Sequence, residues 1–137
     1  MAMLTPQQLA KGGSEHAEQS AFFCYVQQYL QPTYPFLEKL LFAVPNGGSR
    51  GDNARSASIV GAKMKAEGVK PGVADIFLAY PVAPYHGLFI EMKRADGGTQ
   101  SDHQKLFAYW AQWSGYKCVL CHGWLAAKDE LHSYLGI

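Results

Sequence analysis

Gly72-Val73-Ala74-Asp75-Ile76-Phe77-Leu78, followed by Phe89-Ile90-Glu91-Met92-Lys93, is the stretch on which the fold turns. Each half is a short apolar run interrupted by charge, and the two read as β-strands over Ala74 to Tyr80 and Leu88 to Lys93. Pro81 to Gly87 between them is long enough only for a hairpin-like connection, so the strands pair antiparallel. Alternation along a strand puts Glu91 and Lys93 on one face and turns Met92 to the core. Pairing then brings Asp75 alongside Glu91. Two converging carboxylates repel each other unless a cation sits between them, and ligation by oxygen alone favours a hard ion such as Mg²⁺ or Mn²⁺. Taken singly, Asp75 fits a strand-entry turn residue, and Glu91 with Lys93 fits a solvated edge pair. Taken together they fit that reading poorly, because an edge strand does not need Ile76-Phe77-Leu78 and Leu88-Phe89-Ile90 to be so uniformly apolar.

Working outward, Phe22, Tyr25, Val26 and Tyr29 recur at helical spacing from Ser14, a good N-cap, to Leu30, and Pro32 ends the run. Leu40 to Val44 reads as a buried strand stopped by Pro45-Asn46-Gly47-Gly48. A second helix is expected over Ala54 to Glu67, with Gly68 at its end. Beyond Gly97-Gly98 come a strong helix over Ser101 to Ser114, a strand over Tyr116 to Cys121 and a last helix over Ala126 to Leu135. This order, with a hairpin in its middle, predicts an α/β domain built on a mixed central sheet flanked by helices. Residues 1–13 are expected to be a loose tail and 14–137 one domain, since 137 residues with 48% hydrophobic content fill a single core.

The net charge of +1 advertises no polyanion partner, although a small protein can confine its positive charge to one groove. The first residues lack the basic start and apolar run of a signal peptide, and no segment is long enough to span a membrane, so a cytoplasmic protein is expected. Cys24, Cys118 and Cys121 form an odd set, read as free thiols. Cys118-Val-Leu-Cys121-His122 matches the pattern of covalent haem attachment. Its context is a strand, however, where residues three apart point to opposite faces, so neither haem nor zinc is expected.

With these residues in place, the chain resembles a known family. Asp75 and Glu91-Met92-Lys93 look like the signature of the PD-(D/E)xK nucleases. Ser14-Glu15-His16-Ala17-Glu18-Gln19, Pro45-Asn46-Gly47-Gly48, Gly68-Val69-Lys70-Pro71-Gly72-Val73-Ala74-Asp75 and Gln104 narrow the resemblance to the virus-type replication-repair nuclease (VRR-NUC) family, over about Ser14 to His122. Ala74 stands where the superfamily name places proline, a position that binds no metal. The resemblance implies a restriction-endonuclease-like αβββαβ core and a stand-alone, phage-type DNA endonuclease needing Mg²⁺ or Mn²⁺. Its preferred substrates would be branched DNA such as four-way junctions or flaps. It also implies that Asp75, Glu91, the carbonyl of Met92 and a glutamate of the first helix hold the metal, with Lys93 beside the attacking water.

Glu15 and Glu18 both lie on the Phe22–Tyr25 side of that helix. Glu18, one turn before Phe22 and followed by Gln19, is favoured as the ligand, while Glu15 can be a first-turn carboxylate that complements the helix dipole. Gln104 closes a capping box begun at Ser101, and the resemblance also puts it at the rim of the active site. Arg50, Arg55, Lys63, Lys65 and Lys70 make a locally basic stretch that can track a DNA backbone, with Asn46 fixing the loop, or form a solvated helix face. Phe107, Tyr109, Trp110 and Trp113 are of a type more often core than base-stacking surface. Their helix is nevertheless apolar on more than one side, as an interface helix would be, and a homodimer is expected because paired cuts need two sites. A non-catalytic nucleic-acid-binding module on the same fold is the alternative.

Overall fold

The computed structural model describes residues 3–45 and 54–137. Helix α1 (Pro6–Ala10) is capped by a Thr5–Gln8 box, and α2 (Glu15–Tyr25) is capped by Ser14. The latter runs on as one π-helical segment, Val26–Leu30. A short α3 (Leu37–Leu40) leads into β1 (Leu41–Ala43), and α4 (Ala54–Ala66) precedes β2 (Ile76–Leu78) and β3 (Leu88–Lys93). Helix α5 (Asp102–Trp113), β4 (Lys117–His122) and α6 (Trp124–Leu135) complete the chain.

The strands lie in the order β1-β2-β3-β4; β1/β2 and β2/β3 are antiparallel and β3/β4 parallel. The parallel pair requires a crossover, which α5 supplies. The α2-β1-β2-β3-α5-β4 series is the mixed αβββαβ core expected from the sequence. In the hairpin, Ile76 faces Ile90 and Leu78 faces Leu88, so an apolar row fills one side of the sheet. That side packs against Phe22, Val26 and Leu30 of the α2 run and against Ala127, Leu131 and Tyr134 of α6. The opposite side carries Phe77 stacked on Phe89, ring centroids 4.3 Å apart, with Phe107 of α5 edge-on to Phe89 at 5.0 Å.

Three readings are corrected. The tail expected over residues 1–13 contains α1, whose Pro6 is buried, because Thr5 and Gln8 satisfy the first free N–H groups of even so short a helix. Leu40 ends a helical turn instead of opening a strand. Tyr109, Trp110 and Trp113 are 58%, 53% and 74% exposed, since α5 turns Gln104, Phe107 and Ala111, and not these rings, to the sheet. Among the described residues no helix is long and apolar enough to cross a membrane.

The last helix is tied to the hairpin by one side chain. The Tyr134 hydroxyl donates to the Tyr80 carbonyl at 2.7 Å and accepts from the Val82 N–H at 3.1 Å. Tyr134→Phe removes both bonds without emptying the core, and is expected to lower unfolding free energy by about 1–3 kcal/mol. Urea denaturation measures this; an unchanged midpoint would show that water replaces the hydroxyl at no cost.

Candidate active site

Asp75 stands one residue before β2, and extending the β2/β3 register places it opposite Glu91. The backbone there is held from both sides: the Asp75 carbonyl accepts from the Val44 N–H at 2.7 Å, and Asp75 Oδ2 accepts from the Met92 N–H at 2.8 Å. Glu91 and Lys93 are 3% and 7% exposed on a strand flanked on both sides, which excludes a solvated edge pair. Met92 is fully buried on the core face, as alternation requires.

Gln104 connects the charged groups. Its Nε2 donates to Glu91 Oε1 at 2.6 Å, while its Oε1 accepts from Lys93 Nζ at 3.3 Å and from the Ser101 N–H at 2.8 Å. The same amide thus caps α5 and bridges the buried carboxylate to the buried ammonium. Lys93 Nζ also lies 3.9 Å from Glu91 Oε1 and 3.9 Å from Glu15 Oε1. The start of α5 is seated against the loop preceding Asp75 at Gly72, whose φ is 85°. A Cβ there would fall 2.4 Å from the backbone of His103, so only glycine permits this approach.

The two helix glutamates take different partners. Glu18 is buried, and its Oε2 accepts from the Trp124 N–H at 2.8 Å. The cause lies in α6, whose N-cap is Gly123: glycine brings no side-chain acceptor for the free N–H groups of the first turn, and Glu18 supplies one together with a charge favourable to the dipole. Glu15, half exposed, is the glutamate beside Lys93. It lines a cleft of about 460 Å³ with His16, Gln19, Val44, Pro45 and Asp75. Gln19 was passed over as a site residue in the sequence, although its i+4 spacing from Glu15 marks a shared helix face.

Burial pushes the Glu91 carboxyl up to about 8; the facing charge of Asp75 and a hydrogen bond with it add to the rise, and Lys93 opposes it. A proton therefore holds the two carboxylates together where no cation does. The donor set fits a hard divalent cation, because Asp75 and Glu91 offer oxygen only and are already brought face to face. Among the described residues no three His, Cys, Asp or Glu side chains are gathered at ion-binding spacing, as Glu15 leans to Lys93. Cys121 is in the core, whereas Cys118 shares the Glu91 face; burial raises these thiols to about 12 and about 11, so both keep their protons at neutral pH.

Lys63, Lys65 and Lys70 are exposed at the end of α4 and just after it. Asn46 and Arg50 lie outside the described residues, as does the side chain of Arg55.

In metal-free protein, folded Glu91 keeps its proton to about pH 8, against 4.5 in the unfolded chain. The stability it contributes is full below about pH 4.5 and is lost as the pH rises through about 8. Glu91→Gln, which keeps an acceptor for Gln104, is expected to flatten this decline and melt above wild type at the alkaline end. Melting curves in EDTA across that range decide it; a Glu91→Gln decline as steep as the wild type's would contradict the assignment.

No family model and no curated protein matches the chain. A solved structure described as a VRR_NUC domain protein matches 90% of this chain and 88% of that chain, with a TM-score of 0.73 at 21% sequence identity. The chain thus has the fold of a VRR_NUC domain protein.

Proposed function

We propose that this chain is a VRR-NUC nuclease, a divalent-metal-dependent DNA endonuclease hydrolysing phosphodiester bonds. The observation that carries the reading is Asp75, half-buried at the cleft, set against the buried Glu91, with Lys93 on the same face and Gln104 bonded to both Glu91 and Lys93. Likeness of fold to a VRR_NUC domain protein supports it. A non-catalytic binding module would gain nothing from setting a second carboxylate against the buried Glu91, an arrangement that costs stability unless a cation is to be held there.

Asp75, Glu91 and the Met92 carbonyl would hold Mg²⁺ or Mn²⁺, with Glu15 in place of Glu18 as the helix ligand, since Glu18 is committed to α6. Such an ion supplies charge stabilisation at the scissile phosphate and acidifies the attacking water. Lys93, steadied by Gln104, orients that water and offsets charge developing on the phosphate oxygens. Asn46, Arg50, Arg55, Lys63, Lys65 and Lys70 would line the path of the DNA backbone. Paired cuts in branched DNA, such as a four-way junction, need two such sites, hence a homodimer.

Asp75→Asn, Glu91→Gln and Lys93→Ala are each expected to lower cleavage by at least about a hundredfold with the fold intact. Linear duplex, flap and four-way-junction DNA, each with Mg²⁺, Mn²⁺ or EDTA, form the assay; full activity in any of the three variants would overturn this site. Glu15→Gln is expected to reduce cleavage far more than Glu18→Gln, because a glutamine at 18 can still accept from Trp124. The opposite order would return the ligand role to Glu18.

A further inference from the structure

The face of the sheet that carries Asp75, Glu91 and Lys93 also carries a row of rings. Alternation puts Phe89 on the same side of β3 as Glu91, and strand pairing sets Phe77 opposite Phe89 and Phe42 opposite Phe77. The rings touch in that order: Phe77 lies flat on Phe89, centroids 4.3 Å apart, and Phe42 meets Phe77 edge-on at 5.8 Å. Tyr116 closes on Phe77 and Phe89 at 6.0 Å and 5.4 Å. Helix α5 covers the β3 end of the row, through Phe107 on Phe89. At the β1 end Phe42 is left 42% exposed. A lone exposed phenylalanine has no meaning by itself. This one is the open end of a braced row that runs beside the acids. Two residues of strand, about 7 Å, separate the row from Asp75 and Glu91. The cleft that holds Asp75 is lined by Val44, whose N–H bonds the Asp75 carbonyl, and Phe42 lies two residues back on the same face.

We propose that Phe42 is the shelf on which an unpaired base of the DNA stacks, beside the phosphate to be cut. The proposal rests on the nuclease reading above and adds a substrate class to it: a strand whose nucleotide next to the scissile phosphate is out of the base stack. Along β3 this face reads ring, carboxylate, ammonium, in Phe89, Glu91 and Lys93. A nucleotide has the same order of parts, since its base hangs one sugar away from a phosphate that needs a cation. An apolar protein partner would set its surface against these charges, whereas a nucleotide uses both. Inside a duplex both faces of a base are covered by its neighbours, so a single ring can receive only a base that has left the stack. Phe77 and Phe89 brace Phe42 from behind, so that little side-chain freedom is lost when a base settles on it. The outer aromatic stripe of α5, Tyr109, Trp110 and Trp113, is turned away from the sheet and is not continuous with the acids.

The test uses the full chain carrying Asp75→Asn, which is expected to bind DNA without cutting it. Fluorescence anisotropy measures its affinity for a single strand of thymidines, for the same strand with abasic sugars in place of the bases, and for a blunt duplex. Adding Phe42→Ala is expected to weaken binding of the thymidine strand about tenfold, within the range of one base–aromatic stack, and to leave the abasic strand and the duplex unchanged. Phe42→Tyr is expected to keep the affinity. Unchanged binding of the thymidine strand by the Phe42→Ala form, or an equal loss on the abasic strand, would overturn the shelf. Photo-crosslinking of a strand bearing 5-iododeoxyuridine needs no substitution at Phe42, and is expected to mark the peptide that contains it. Crosslinks confined to the α5 stripe would overturn the proposal. Cleavage by the wild type in Mn²⁺ is read separately. A chain that cuts no DNA yet crosslinks at Phe42 loses the nuclease reading and keeps the shelf; a chain that cuts DNA but does not crosslink there loses the shelf alone.

Discussion

The face-to-face placement of Asp75 and Glu91, which repel each other whenever both are charged, is the constraint around which the molecule is arranged. Two carboxylates facing each other across paired strands, one of them buried, would separate if the surrounding structure let them. It does not. The Met92 N–H holds Asp75, the Gln104 amide holds Glu91, and the backbone of β3 is fixed by partners on both sides. The hairpin register that fills the core with Ile76, Leu78, Leu88 and Ile90 is the same register that opposes the acids. A slip of one residue would turn the apolar row to the wrong face, so packing energy enforces the electrostatic conflict.

The two helices flanking the acids are placed by separate devices. Gly72 lets the loop before Asp75 touch the backbone of His103, which sets the start of α5 and with it Gln104. Glu18 reaches from α2 to the N-terminus of α6, so that Glu15, one turn earlier, is presented to Lys93. Turn chemistry and helix capping therefore act on the site at a distance through rigid elements. The outer aromatic stripe of α5 belongs to a different layer and takes no part in holding the acids.

Much of this was legible in the sequence because local periodicity carries it. Alternation in Phe89-Ile90-Glu91-Met92-Lys93 and the short connection before it specify the hairpin, the shared face of Glu91 and Lys93, and the burial of Met92. Ser101 and Gln104 announce the cap of α5, and the amide proves able to serve cap and site together. What local pattern does not carry is the identity of tertiary partners. Glu15 and Glu18 occupy nearly the same helix face, and only the absence of a side chain at Gly123, far along the chain, decides which is consumed by α6. The exposure of Trp110 and Trp113 was obscure for the same reason: an aromatic helix looks alike whether its second side meets a core or solvent. The Thr5–Gln8 box of α1 was readable, but so short a helix has little periodicity to draw attention.

Proton release on ion binding tests most directly whether Asp75 and Glu91 are a cation site. Glu91 holds its proton to about pH 8, so an ion entering between the carboxylates at neutral pH must displace it. Calorimetric titration with Mn²⁺ at pH 7 in buffers of different ionisation enthalpy counts that proton. The account predicts binding to the wild-type protein with release of about one proton per ion, and loss of that release in Glu91→Gln. Binding with no proton released, or release that survives in Glu91→Gln, would contradict it.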